Sequence, residues 1–550
     1  MLEVSDKYKN KIYTQDSARH FKGEVRFELL DINAYRDAML NGLTDNDEAS
    51  ISRINQLIDK RRVMSHKYAS FEKDYFKLDG SFVIPPRVDE GESKVGWWSR
   101  DLCNSDKTFA TPVGFAVIFT EGHNSAGLTL TFSSLTNEYA TDFIIQVFDN
   151  NYRPIVVKHV VDNKNATYVL EDSLDNYYLI IVEILKWSHP LRRAKVTAID
   201  FGVTQTFGNS DLVSYSVIEE INVTGDSLPA NELRFTVDNS DRIYNILNPE
   251  GHYRFLMERQ EVWATLSLEV EPNNYETINM GKFYLKEWKS DEGALTTTFT
   301  ALSVFDILED IMYIGYGATN LYDLAVDVLT KAGVTEFIID EKLREISTNG
   351  FYELIDSRKA LYFIGMAGKA IVKQNRDGVV EIQQFRTLDA GTKYTLYTGP
   401  GVYAGGSTYP VVDQGYDMKN ITFKNVYAEP QIKLDQQVGA VMIIVQNFET
   451  GIKTTYTLKD TKVKNGVTVK HENPLIISES HALDIAKWIL RERSLRALYE
   501  VNWRQNPALE CGDIVLIEDS FGAKKQSRIL KQTFEYASYL SGRTETRGGI

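Results

Sequence analysis

Gly365-Met366-Ala367-Gly368-Lys369 sets two glycines before a lysine, the residue types of a loop that cradles phosphate. A phosphate loop separates its glycines by four residues, whereas here two intervene, and the stretch falls where a helical pattern ends. The glycines therefore read as packing positions. Gly315-Tyr316-Gly317 lacks the third glycine that a dinucleotide turn requires. Cys103 and Cys511 are too far apart in sequence to form the paired-ligand spacing of a zinc site. His471 and His481 are the nearest histidine pair, and His481 falls in the first turn of a predicted helix, as a surface residue. Asp306, Glu309 and Asp310 suit the start and solvated side of a helix. No HExxH, GxSxG or Walker sequence occurs. No catalytic residue, cofactor site or metal site is assigned, and the reading is of a protein that is not an enzyme. Glycosidase carboxylates have no reliable local signature, so a wall hydrolase stays among the alternatives.

Trp97, Trp98 and Trp187 are the candidate binding residues. Indole faces stack on the apolar faces of sugars, which would make the three a glycan platform. The same rings would equally fill a β core or a module boundary.

The elements that must position these residues are mostly strands. The 30 Tyr, 26 Phe and 7 Trp favour strands and large buried interfaces. With 550 residues, the chain exceeds one compact core and predicts several domains. Net charge is −15, from 61 basic and 76 acidic residues, with no basic run. Such a surface repels nucleic acid, whose binding is driven by Lys and Arg releasing counterions from phosphates. DNA would be passed, not held. Two distant cysteines exclude a disulfide framework and fit assembly in a reducing cytosol. MLEVSDKYKNKIY has no apolar signal core, and YYLIIVEIL (177–185) is strand-length, so no membrane span is expected.

Ile51, Ile54, Leu57 and Ile58 recur at the spacing of one helix face, predicting a helical arm over 36–75. Over 76–204, short apolar runs such as GLTLTF, DFIIQVF and PIVVKHVV are separated by turns, including Asp149-Asn150-Asn151. Strands without intervening helices predict an inserted β-sandwich. A second β region follows: Val213, Tyr215 and Val217 alternate with polar residues, as do Leu233, Phe235 and Val237. Asn320 caps a helix whose stripe is Leu321, Leu324, Ala325, Val328 and Leu329. Another helix starts near Ser357, and a last one spans about Ser478 to Arg496. Helices lie between β regions instead of alternating with single strands, which makes the fold α+β and β-rich.

NELRFTVDNSDRIYNILNPEG (231–251), RQEVWATLSLEV, TINMGKFYLKEWKS and TALSVFDILED (300–310) resemble the first barrel of phage baseplate hub proteins. NRDGVVEI (375–382), NPLI (473–476) with the last helix, and NPALECGDIVLIEDSFG (506–522) extend the resemblance to about two-thirds of the chain, in the family's order. Hubs of this family occur in contractile and non-contractile tails, prophages and phage-like bacteriocins. The resemblance implies a homotrimer with two tail-tube-like β-barrels per subunit, so that three copies join a sixfold tail tube to a threefold tip and line the central channel. It divides the chain into a first barrel (1–35 and 205–302), the helical arm (36–75), the inserted sandwich (76–204), a helical connector (303–374) and a second barrel with an associated α+β part (375–550).

FEKDYFKLDGSF (71–82), VGWWS (95–99) and GLTLTFSS (127–134) look like a galactose-binding-like jelly-roll insertion of Gram-positive phage hubs. The implied partners are the tail tube or distal tail protein, the tip or spike, the end of the tape measure and baseplate wedge proteins. DNA is met only in transit, and the implied location is the virion tail, assembled in the host cytoplasm. The chain reaches Ile550 soon after the barrel-like strands, so wall-degrading activity is expected on another protein. A host-surface glycan-binding tail protein is the other alternative.

Overall fold

The computed structural model describes residues 2–14, 16–44, 48–59, 66–86, 94–208, 210–222, 224–225, 227–245, 247–249, 251–290, 295–317, 319–385, 421, 426–427, 430–446, 452–518 and 524–549. Half of the described residues lie in strands and 16% in helices. No helix among the described residues is long and apolar enough to cross a membrane. The chain separates into two compact units. One comprises Met1–Arg26, Thr206–Asp241 and Glu261–Ile550; the other comprises Phe27–Gln205 and Arg242–Gln260.

In the first unit the strands named below are β1 (Leu212–Glu220), β2 (Glu232–Asp238), β3 (Glu261–Glu271), β4 (Asn274–Lys289), β5 (Thr296–Leu302), β6 (Met312–Tyr316), β7 (Gly350–Asp356), β8 (Ala370–Gln374), β9 (Val380–Gln384), β10 (Gln431–Leu434), β11 (Val438–Gln446), β12 (Lys453–Lys459), β13 (Val467–Glu472), β14 (Ala497–Trp503), β15 (Ile514–Glu518), β16 (Lys524–Tyr536) and β17 (Leu540–Gly548). Its longer helices are α1 (Val304–Glu309), α2 (Leu321–Lys331), α3 (Ser357–Gly368) and α4 (Glu479–Ser494).

The main sheet of this unit runs β3-β4-β5-β2-β1-β16-β17-β14-β10, with β15 also on β16. Two separate tube-like barrels were expected from 1–35 with 205–302 and from 375–550. The structure corrects this: no closed barrel forms among the described residues, and strands of both segments share one sheet. The join is β1 against β16, antiparallel and in unbroken register from Tyr215↔Tyr536 to Glu220↔Lys531. Edge strands carry unpaired backbone groups, and pairing two such edges with each other satisfies both.

The helices form where the sequence predicts. The Asn320 side chain accepts the Asp323 N–H at 2.9 Å, capping α2, and its stripe from Leu321 to Leu329 is buried. Asp356 caps α3 through the Lys359 N–H, and Ser478 caps α4 through the His481 N–H. Buried faces of α1 to α4 share one core with β8, β9 and β11.

The second unit contains a β-sandwich. Its four-stranded sheet orders Thr167–Leu170, Leu128–Phe132, Arg193–Asp200 and Trp97–Leu102. The five-stranded sheet orders Met39–Gly42, Thr108–Ser125, Leu174–Trp187, Ala140–Phe148 and Pro154–Val160. Alternate residues, such as Phe143, Ile145 and Val147, face a common core. The hairpin at Asp149 forms as expected: its Oδ1 accepts the N–H groups of Asn151 and Arg153, both at 2.8 Å.

The helical arm does not form among the described residues. Among the described residues of 36–75 only the end of a short helix (Ala34–Asp37), a 3-10 turn (Ile54–Ile58) and short strands occur. The reason is competition from the sandwich. Ser52 Oγ accepts the Trp98 N–H at 2.9 Å, and Gln56 Oε1 accepts those of Val95 and Gly96 at 3.0 and 3.1 Å. A short isolated helix is marginal, so these bonds outweigh it.

Lys195 anchors the end of this segment. Its ammonium is fully buried, 2.6 Å from Glu138 and 2.8 Å from Glu72, under the rings of Tyr75 and Trp98. Arg192 adds a 3.3 Å contact to Glu138 and donates to the Asp74 carbonyl at 2.8 Å. Removing one partner of a buried pair leaves a charge with neither water nor counterion. Lys195→Met is therefore expected to lower stability by about 3–5 kcal/mol in urea unfolding and to open 70–75 to proteolysis. A loss below about 1 kcal/mol, the scale of a surface pair, would contradict this anchoring.

Candidate functional site

The β8–β9 turn carries the sequence Asn375-Arg376-Asp377-Gly378. Asn375 Oδ1 accepts the N–H groups of Asp377 and Val379, and Gly378 takes φ +86°, a left-handed conformation that suits glycine. This fixed turn buries Arg376. Its Nε donates to Glu219 Oε1 at 2.6 Å and its Nη2 to Oε2 at 3.0 Å. Nη2 also donates to the Leu509 carbonyl at 2.8 Å, and Nη1 donates to the Pro507 carbonyl. Glu219 stands on β1; Gln532 of β16 donates to its Oε2 and to the Leu509 carbonyl. Burial opposes the charge on Arg376, but Glu219 outweighs it and raises the guanidinium pKa. Lys373 behaves alike: burial works against its charge, and Glu510 and Glu381 more than offset it.

This anchor lies under one face of the main sheet. Tyr215, Val217 and Glu219 of β1, Leu233, Phe235 and Val237 of β2 and Phe534 of β16 point to the buried side. Alternate residues point to the open side, and the register aligns them in rows across both halves. One row runs Thr300, Arg234, Ser216, Glu535 and Ser541; another runs Glu220, Lys531, Glu545 and Glu500. Between them lies a row containing Glu232, Ile218, Thr533 and Arg543.

The cations of these rows are paired. Lys531 is 2.8 Å from Glu220, Arg543 is 2.8 Å from Glu500 and 2.9 Å from Glu545, and Arg234 is 4.0 Å from Glu232. Exposed pairs add little stability, about 0–1 kcal/mol each. Their consequence is electrostatic: carboxylates neutralise each cation and leave a net acidic, hydroxyl-rich surface.

The sequence-derived candidates fall elsewhere. Trp97, Trp98 and Trp187 are each 0% exposed, packed on Phe115, Tyr75 and Phe132 respectively. They fill the core and offer no ring face to a sugar. Gly365 and Gly368 lie in the last turns of α3, where a Cβ at Gly365 would come within 2.7 Å of Val372. Lys369 bonds Asp484 at 2.5 Å. Asp306 pairs with Lys286 at 3.0 Å and Glu309 with Arg358 at 2.5 Å. His481 is half-buried: its Nε2 bonds the Ala367 carbonyl at 2.8 Å, and burial lowers its pKa. Among the described residues no group of three or more His, Cys, Asp or Glu gathers as metal ligands would.

Sequence inspection missed Arg376 and Glu219. One signal was present, because Glu219 continues the buried parity of Tyr215 and Val217, and a carboxylate there requires a cation.

No family model matches the chain, and no curated protein matches it. Among solved structures, a tail protein from Neisseria meningitidis is similar with a TM-score of 0.42 at 10% identity, over 62% of this chain and 93% of that one. The 43 kDa tail protein of prophage MuSo2 from Shewanella oneidensis aligns with a TM-score of 0.37 at 12% identity, over 62% and 94%. Prophage tail protein gp18 from Listeria monocytogenes gives 0.36 at 10% identity, over 62% and 91%.

Arg376→Met leaves Glu219 buried without its cation and is expected to cost about 3–5 kcal/mol in urea unfolding. Adding Glu219→Gln in the same chain removes the orphaned charge and should recover part of that loss. A double variant no better than the single one would show that the pairing is not what holds the turn.

Proposed function

We propose that this chain is the structural hub of a phage-type tail, a homotrimeric adaptor between a sixfold tail tube or distal tail protein and a threefold tip, lining the central channel. The carrying observation is the open face that continues across both halves of the main sheet with its cations neutralised. Each copy would present two sheet halves, so three copies supply six. The order of hub-like sequence fragments supports the same reading. Closed cylinders within one copy are not part of it.

The physics suits passage. Duplex DNA is gripped by free Lys and Arg that displace counterions, and paired cations on an acidic face cannot do this. Partners in this reading are the tube or distal tail protein, the tip or spike, the end of the tape measure and wedge proteins, in a virion tail. The buried tryptophans give no support to glycan binding by the sandwich through those three rings.

Light scattering or mass photometry, alone or with a partner, should give three times the 62.6 kDa chain mass. A chain that stays monomeric inside assembled tails contradicts the reading. Glu220→Lys with Glu500→Lys should release Lys531, leave Arg543 with Glu545 alone and add two cations. Wild-type protein is expected to show no duplex binding by fluorescence anisotropy at low salt, and the double variant a binding that falls steeply with salt. Equal DNA affinity in both proteins would remove this face as a passive channel wall.

A further inference from the structure

The connection from β12 to β13 gathers lysines. Lys459 ends β12, Lys462 and Lys464 follow in the loop 460–466, and Lys470 lies on β13; all four are exposed. Strand register puts Lys459 and Lys470 on one face. Lys459 stands opposite Ala440 of β11 and Lys470 opposite Met442, while the alternate residues Val441, Ile443 and Val445 pack into the helical core. Thr457 and Thr468 share the lysine face by the same registers. The loop is seated on this sheet: Asp460 Oδ1 accepts the Lys462 N–H at 2.9 Å, and a Cβ at Gly466 would come within 2.3 Å of the Gly439 nitrogen.

Asp460 is the only carboxylate in 454–471, against these four lysines. Among the described residues none of the four is ion-paired, whereas Lys453 pairs with Glu472, and Lys531, Arg543 and Arg234 of the main sheet are all matched. Edge protection asks for lysine on the edge strand, which Lys459 supplies, but not for Lys462 and Lys464 in the loop. Solubility does not ask for them either: at a net charge of −15, each further lysine brings the chain closer to neutral.

We propose that this lysine face docks a carboxylate-rich segment of a partner protein. Beyond about 10 Å at 0.1 M salt the rest of the acidic surface is screened, so a segment reaching this corner meets the local positive charge. Its carboxylates pair with the four ammonium groups and accept from the hydroxyls of Thr457 and Thr468. Lysine, a compact charge, suits such single contacts; arginine, which grips phosphate with two parallel bonds, is absent from 452–478. Tyr456 packs against the helical core, so its ring is no stacking platform for nucleotide bases on this face. A second copy has less to offer, because the carboxylate rows of its main sheet are already matched by Lys531, Arg543 and Arg234. Segment 386–430 of this chain has as many basic as acidic residues and brings no net charge. This inference is independent of the tail reading.

The probe is a short fluorescent oligoglutamate titrated into the full chain by anisotropy, with oligoglutamine of equal length as its uncharged counterpart. Oligoglutamate is expected to bind, more weakly as salt rises, and oligoglutamine not to bind. Lys462→Glu with Lys464→Glu should weaken binding about tenfold or more, by losing two pairs and adding two like charges. Both residues are exposed, so this variant should melt like wild type. Lys73→Glu with Lys77→Glu makes the same change of net charge in the second unit and should leave the affinity unchanged. The inference is overturned if oligoglutamate does not bind, if oligoglutamine binds equally, or if the two double variants weaken binding alike. Binding of duplex DNA or phosphatidylglycerol vesicles through Lys462 and Lys464 in place of oligoglutamate would overturn it too. So would concentration-dependent self-association abolished by Lys462→Glu with Lys464→Glu, since the occupant would then be a second copy.

Discussion

The buried pair of Arg376 and Glu219 governs how the larger unit comes together. Taking each ion out of water costs several kcal/mol, and the cost is offset only when the remaining hydrogen-bonding capacity is filled. Here both Glu219 oxygens accept, and three guanidinium nitrogens donate to Glu219 and to the carbonyls of Pro507 and Leu509. These groups come from β1, the β8–β9 turn and the 506–509 loop, separated by 157 and 131 residues from Arg376. No one of these segments could hold the charge alone. The pair therefore stabilises only the arrangement in which all of them arrive, and it penalises every partial one.

The same pair fixes which side of the sheet faces outward. Side chains alternate along β1, so burying Glu219 sends Ser216, Ile218 and Glu220 to the other side. A slip of one residue would place Glu219 in solvent and strand Arg376 in the core. Through β1 this constraint reaches β16, whose Lys531, Thr533 and Glu535 stand opposite Glu220, Ile218 and Ser216. The acidic open face and the buried cation are thus two consequences of one strand register.

Much of the local structure was legible in sequence. Asn320 caps its helix as read, and the last helix starts near Ser478 as expected, because a short polar side chain can satisfy an N–H of the first turn wherever the helix later packs. Asp149 closes a hairpin for the same local reason. Failures occur where distant groups decide. The spacing of Ile51, Ile54, Leu57 and Ile58 fits a helix, but bonds from Ser52 and Gln56 to the sandwich backbone claim the segment. Trp98 suggested a sugar platform; instead its ring covers the Lys195 ammonium, a contact that needs residues more than 90 positions away. The join of β1 to β16 was invisible because an edge's partner is set by topology and not by its own sequence. Of the site, only the buried parity of Glu219 was readable in advance.

Edges unite these observations. A sheet must pair, cover or charge every edge it exposes. The main sheet resolves two edges by pairing β1 with β16, and that choice creates a face spanning segments that the sequence presents as separate. The three-stranded sheet of β11 to β13 resolves one edge by charge, with Lys453 salt-bridged to Glu472 and Lys459 at the strand's far end.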